Sequence, residues 1–428
     1  MKMENNHQDY VDQPVPAGSR RPWWEITFVT SGFCLAVSGM FAGAALSLGM
    51  PLRDVIITIL IGNLILTLYG GLMGSIGAKT GVSTSMLATK TFGKLGATVI
   101  SLIWAITLIG WFSVQAGFFG QTIAAMLPGG GFITSAPIAA AWGGTLMILT
   151  AFLGYKGIRM LSNVAIPLLL LLSVFGVYLA VGESGGWSNL TAEITEPISI
   201  IEGIVILVGT FAVGAVVQPD IARYARSSKD SWLAMIIAMM IANGFIVFAG
   251  AATSLAMGTG DLPAAMLQLG LGVPGILILL AAQWTSNDSN LYSASLPLTN
   301  IFKIKRSTVV VIVGIVGTIL GAAGIANYFV GFLSTLGVFI PPIAGVIIAD
   351  YFVLNKADYD FKKQLAVPAL KWQAIAAWAF GIAGGVFVSV GIPSLNSLVL
   401  AFVLHFVLTK LFSKSPIPVN SVNIQETK

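Results

Sequence analysis

The sequence predicts an all-α integral membrane protein with twelve transmembrane helices, arranged as two halves of opposite orientation. Three observations lead there. Of 428 residues, 56% are hydrophobic and only 9% charged, with a mean hydropathy of +0.89, more apolar than a water-soluble domain of this length. The apolar residues gather into runs of roughly 20, the length at which a helix crosses the hydrocarbon core. The cationic residues fall between those runs, in every second interval.

The first 26 residues are polar and place Arg20 and Arg21 just ahead of the first apolar run. Lacking the apolar core and cleavage pattern of a signal peptide, they read as a cytoplasmic tail that is retained. Twelve runs follow, at 27–49, 55–77, 95–126, 137–155, 159–182, 200–219, 232–257, 272–297, 308–326, 329–349, 372–391 and 394–412. The third is longer than a bilayer requires, so it should tilt or extend past the surface. From 308 to 349 the chain is almost continuously apolar, and only "GIANYFVG" marks a division. The transporter domain is thus 27–413, and 414–428 is a second cytoplasmic tail.

Charge tests that count. With the N-terminus inside and twelve crossings, 21 of the 22 Lys and Arg lie on the cytoplasmic side and Arg53 alone lies outside. A wrong number of helices would scramble this asymmetry. The long outer loop, 183–199, is acidic instead, with Glu183, Glu193 and Glu196. The same distribution argues against nucleic acid, because the basic residues form no patch with interleaved aromatics. One cysteine, Cys34, and two distant histidines, His7 and His405, exclude a disulfide framework and leave no metal cluster of that kind. Neither HExxH, GxSxG nor a close carboxylate pair falls inside a run, so enzyme chemistry is not expected.

Four helices differ from plain spans. Helix 1 contains Gly32, Gly39, Gly43 and Gly49, and helix 6 contains Gly209 and Gly214 ahead of Pro219. Single glycines of this kind also serve close helix packing. Gly- and Pro-interrupted segments in corresponding places of two halves point to a discontinuous pair lining a midplane site, as in secondary transporters. Five helices on is an odd step, so the halves are inverted. Helix 8 carries Gln283, Thr285, Ser286, Asn287, Asp288, Ser289, Asn290, Tyr292 and Ser293 in one run. Facing lipid, these groups would go unsatisfied at a cost of several kcal/mol or so each, so they face protein or a cavity. The paired hydroxyls of Thr285 and Ser286 suit a small alkali cation, and Asn287 offers both donor and acceptor. Asp288, an intramembrane acid, is a coupling group, a cap or a network member. Helix 3 reads "IGWFSVQAGFF", with Trp111 and Gln115 one turn apart. An indole beside a carboxamide, with Phe211 of helix 6 opposite, makes a slot for a flat heterocycle.

The runs "TFVTSGF", "LIGNLILTLYGGLMGSIGAKTGVST", "GWF", "VGTF", "WTSND" and "IPPIAGVIIADYF" resemble the nucleobase cation symporter 1 family, most of all its bacterial cytosine permeases. The resemblance runs from about residue 14 to 412. It implies a leucine-transporter-like inverted five-plus-five repeat, with 27–182 as the first repeat, 200–349 as the second, and helices 11 and 12 (372–412) as additions. It also implies symport of a nucleobase or related ring with a cation. Position by position, Trp111 and Phe211 match the stacking aromatics, Asn287 the asparagine that bonds the base, and Thr285 and Ser286 the sodium-binding hydroxyls. Carbonyls near Gly32, Ala36 and Ala282 complete that ion site, and Thr210 lies where main-chain groups reach the ring. Three positions depart from the cytosine pattern: Gln115 replaces a glycine, Ala36 a phenylalanine and Ala282 an asparagine.

The expected function is therefore import of a neutral planar nitrogen heterocycle, cytosine first, coupled to sodium by alternating access. A purine, a hydroxymethylpyrimidine or a hydantoin-like ring, and proton coupling through Asp288, are the alternatives within the family. A channel or a non-transporting sensor is the alternative outside it. No cofactor beyond the co-transported ion is expected, and the chain is placed as a monomer in a bacterial inner membrane with both termini cytoplasmic.

Overall fold

The computed structural model describes residues 10, 13–153, 155–191, 194, 197–359, 361 and 367–412. Residues 1–9, 11 and 12 of the expected N-terminal tail, and the whole of the expected tail at 414–428, lie outside them. Every apolar run read from the sequence is helical over most of its described length. Seven described helices are individually long and apolar enough to cross a membrane, and nine when each of two bent pairs is taken as one crossing. One of those pairs, α12 (Gly272–Phe302) and α13 (Arg306–Ala322), turns back by 120°. The apolar helices Ala136–Phe152 and Trp372–Phe387 are shorter than that.

Helix 1 is broken. α1 (Trp23–Cys34) and α2 (Val37–Gly49) meet at 54° across Leu35 and Ala36. Ala36 is extended, with φ −115° and ψ 146°, and its N–H bonds to the Cys34 carbonyl at 2.8 Å. In an unbroken helix that N–H would take the Gly32 carbonyl, so the break releases Gly32 as an acceptor. The glycines of α2 do something else. A Cβ on Gly39 would press on Ile246, one on Gly43 would run into the Val247 carbonyl, and one on Gly250 into the Met40 carbonyl. α2 and α10 (Gly244–Met257) therefore touch backbone to backbone, the small-residue packing expected between membrane helices.

Helix 6 is bent rather than parted. α7 (Ile200–Val216) stays helical except at Phe211, with φ −132° and ψ 15°, and α8 (Pro219–Ala222) follows after two residues. Its glycines again make room: Gly209 lies against the Leu333 backbone of α14 (Phe329–Phe339), and Gly214 lies under the Phe211 ring.

Between these elements run α3 (Leu52–Thr80), α4 (Thr84–Met126), α5 (Ala136–Leu153) and α6 (Tyr155–Glu183). The length of the third run is resolved by Gly93, whose φ of +84° splits α4 into a short arm and the long helix. Residues 368–371 close on that break. Lys94 N–H reaches the Pro368 carbonyl at 3.2 Å, Leu95 N–H the Ala369 carbonyl at 2.7 Å, and Lys371 N–H the Phe92 carbonyl at 2.9 Å. α9 (Ser228–Ile236) joins α10 through a π-helical segment, Ile237–Asn243, and α11 (Leu262–Gln268) leads into α12. The long apolar stretch divides at Gly324, with φ +90°, and the 3-10 turn Ile325–Tyr328, inside the "GIANYFVG" motif. α15 (Pro341–Ile348), α16 (Trp372–Phe387) and α17 (Pro393–Phe412) complete the described elements.

The described part of the N-terminal segment is packed. Val15 N–H bonds to Gly81 at 2.8 Å, Arg21 N–H to Tyr224 at 2.6 Å, and Arg20 Nη1 donates to the Ala78 carbonyl at 2.7 Å. An arginine thus satisfies a carbonyl at the C-terminal end of α3.

Candidate substrate and ion site

One cavity is bordered by the α1/α2 break, α4, α6, α7 and α12. From the break come Gly32, Leu35, Ala36 and Ser38, and from α4 Leu108, Trp111 and Gln115. α7 supplies Thr210, Phe211 and Gly214. α12 supplies Ala282, Thr285, Ser286, Ser289 and Asn290, positions whose spacing of three, four and seven or eight draws one helical face. Sequence positions up to 258 apart, from 32 to 290, thereby converge on one space.

The lining is aromatic and uncharged: no Asp, Glu, Lys or Arg contributes to it among the described residues. Trp111 is held edge-on by Phe332 and Phe329 of the α14 segment, at centroid distances of 5.3 and 6.2 Å. Phe211 meets Phe33 edge-on at 5.3 Å. Further along α4, Phe118 stacks on Phe41 of α2 at 3.9 Å and meets Phe329 edge-on at 4.9 Å, a plug beyond the cavity in the direction of the α4 C-terminus. Gln115 is 2% exposed, and its Oε1 has no hydrogen-bond partner among the described residues. That oxygen is an acceptor awaiting an N–H.

Thr285 Oγ1 donates to the Ala282 carbonyl at 3.0 Å, so its lone pairs remain available beside Ser286. Across the cavity lies the α1/α2 break with the released Gly32 carbonyl. Hard oxygens of this kind suit a small cation. No group of three or more His, Cys, Asp or Glu that could hold a metal occurs among the described residues.

Two expected site residues do not reach the cavity. Asn287 is fully buried on another face of α12, where Nδ2 donates to the Phe112 carbonyl at 3.0 Å and approaches Met147 Sδ at 3.2 Å. The reason is rotation: at 100° per residue, Asn287 stands roughly 200° from Thr285, whereas Asn290 is one turn from Ser286. Asp288 also points away, accepting from Thr150 of α5 at 2.7 Å. Gln283 donates to Thr122 of α4 at 3.2 Å. Ser289 and Asn290, which the sequence placed only within the polar run of helix 8, join the cavity lining, as their spacing from Ser286 could have shown. The sequence reading missed Ile166 and Leu169 of α6, and two plain apolar residues in an apolar helix carry no signal.

A family model described as permease for cytosine/purines, uracil, thiamine, allantoin matches residues 14–409. The chain belongs to this permease family. The cytosine permease of Escherichia coli (strain K12) is 33% identical, over 97% of this chain and 96% of that protein. The hydantoin permease of Microbacterium maritypicum is 25% identical, over 87% and 82%. Among solved structures, the inward-facing conformation of Mhp1 superposes with a TM-score of 0.83 at 22% identity, covering 94% of this chain and 93% of that one. A closed conformation of Mhp1 with bromovinylhydantoin bound gives 0.76 at 21% identity, covering 94% and 95%. The permease therefore shares the all-α multi-spanning fold of that transporter, and it is a secondary-active membrane transporter of nucleobase type rather than an enzyme.

Proposed function

We propose that the permease imports a neutral planar nitrogen heterocycle, cytosine first, together with sodium. The observation that carries this reading is the uncharged aromatic cavity with Thr285 and Ser286 at its edge and the α1/α2 break opposite. Trp111 and Phe211 offer ring faces for stacking, while Gln115, Thr210 and Asn290 offer edge contacts. Sodium sits between the hydroxyls of α12 and the carbonyls of Gly32, Ala36 and Ala282. Absence of charge from the lining supports a neutral substrate, and the turn of Asp288 away from the cavity supports sodium over proton. A cation held between α1 and α12 favours the conformation in which the ring site is formed, so the ring must raise sodium affinity by the same factor.

In this reading the helices make twelve crossings. α1 to α6 form one five-helix repeat, α7 to α15 its inverted partner, and α16 and α17 are the two additions. The chain works as a monomer in the bacterial inner membrane, with both termini inside. The Phe41–Phe118–Phe329 plug is the outer seal that alternating access must open.

A second reading of the ring rests on Gln115, whose Oε1 has no hydrogen-bond partner among the described residues and adds an acceptor at one edge of the slot: a purine or a hydantoin-like ring can meet it with a ring N–H, and an amino-bearing hydroxymethylpyrimidine with its exocyclic amino group. The test is uptake of labelled cytosine into cells without their own base permeases, with and without a sodium gradient, competed by unlabelled purines, pyrimidines and hydantoins. Sodium-dependent uptake blocked by cytosine alone sustains the first reading, and uptake of another ring with none of cytosine replaces it with the second. Gln115→Gly is expected to shift the ratio of uptake rates toward cytosine by about tenfold, the scale of one hydrogen bond to a buried group; an unmoved ratio would make Gln115 a packing residue.

A further inference from the structure

α12 is polar on its far side as well, and a single residue of another helix gathers that side. Thr150 Oγ1 of α5 accepts from Trp284 Nε1 at 2.9 Å and donates to Asp288 Oδ1 at 2.7 Å. Trp284 and Asp288 are four apart, so they stand one above the other. Both lie roughly 200° around the helix axis from Ser286. What Thr150 holds is thus the back of the face that borders the cavity.

We propose that Thr150 is a positioning residue for transport: by holding Trp284 and Asp288 it fixes the rotation of α12 that turns Ala282, Thr285 and Ser286 to the cavity. This rests on the transporter reading above. Asp288 is 1% exposed, and Thr150 is the hydrogen-bond partner found for its carboxylate among the described residues. A buried intramembrane carboxylate is costly without a partner, and a hydroxyl bonded to a carboxylate is among the stronger contacts. Turning α12 by one residue would strand it.

The contact is one-sided. Thr150 Oγ1 also lies 3.0 Å from the Met147 carbonyl and 3.4 Å from that of Leu146, both in its own helix. Its single proton serves one acceptor at a time. When α12 moves, Thr150 falls back on Met147 and stays satisfied, whereas Asp288 and Trp284 lose their partner. The penalty for leaving this rotation falls on α12 alone, so the clamp can release and re-form in a cycle without disturbing α5.

The test uses the full-length permease with Cys34, its one cysteine, replaced by serine. Ser289→Cys then reports the cavity face of α12, and Leu291→Cys a covered face, through labelling by a small water-soluble thiol reagent. Thr150→Val is expected to lower the Ser289→Cys to Leu291→Cys labelling ratio, and to raise the sodium concentration for half-maximal uptake, each by about fivefold, the scale of one net hydrogen bond. Thr150→Ser, which keeps the hydroxyl, restores both. An unchanged labelling ratio with Thr150→Val, or a fall in maximal uptake with both other readouts unmoved, overturns the proposal. Wild-type uptake without sodium dependence would remove the sodium reading instead, and the labelling ratio would still decide the role of Thr150.

Discussion

Replacing Trp111 with alanine is expected to lower uptake of the transported ring by about a hundredfold. The indole is one wall of the cavity and is mostly buried. Losing an aromatic anchor of this kind removes roughly 3 kcal/mol of binding, and each 1.4 kcal/mol or so is a factor of ten. Trp111 also supports Phe332 and Phe329, so the alanine variant carries a packing defect in addition. Trp111→Phe separates the two effects. It keeps an aromatic face against α14, and it should retain a tenth or so of wild-type uptake because stacking on a smaller ring survives in part. The check is initial uptake rate normalised to transporter in the membrane. Near-normal uptake in the alanine variant would move the substrate away from this cavity.

The second large effect is on assembly. Gly43→Val should prevent the permease from accumulating as a folded, monodisperse species in detergent, because the new side chain meets the Val247 backbone rather than a movable side chain. Forcing extra volume into a packed contact costs about 3 kcal/mol at the upper end of its usual range, and separating two backbones sits at that end. Gly32→Ala is the contrasting case, since nothing lies within 4 Å of a Cβ there. Its protein should assemble normally, so any change it produces is read in sodium dependence alone. A well-behaved Gly43→Val protein would mean that α2 and α10 are not held in close contact.

These two glycines show where the sequence was informative and where it was not. Glycine density singled out helix 1, yet the break falls at Leu35 and Ala36, which have no breaker chemistry of their own. Gly39 and Gly43 answer to α10, a partner more than 200 positions away, and no local pattern announces such a contact. Trp111 and Gln115 were legible because one helical turn separates them, and Phe211 because helix 6 had to face the same space. On α12 the polar run was legible as something other than a lipid-facing surface. Its division among three faces follows from helical rotation: a face holding Thr285 and Ser286 admits Asn290 and excludes Asn287. The structure brings the Asn290 amide to the cavity and holds that of Asn287 against Phe112.

The clasp around Gly93 is made of main chain alone: three N–H groups, from Lys94, Leu95 and Lys371, and three carbonyls. Side chains at those positions are bystanders to it. A saturation library across 94 and 95 should therefore look permissive for every residue type except proline, which alone removes the donor. The join between the α4 break and the segment entering α16 is in that sense written in a code that substitution tables barely register, and relatives can diverge there letter by letter while the joint stays the same.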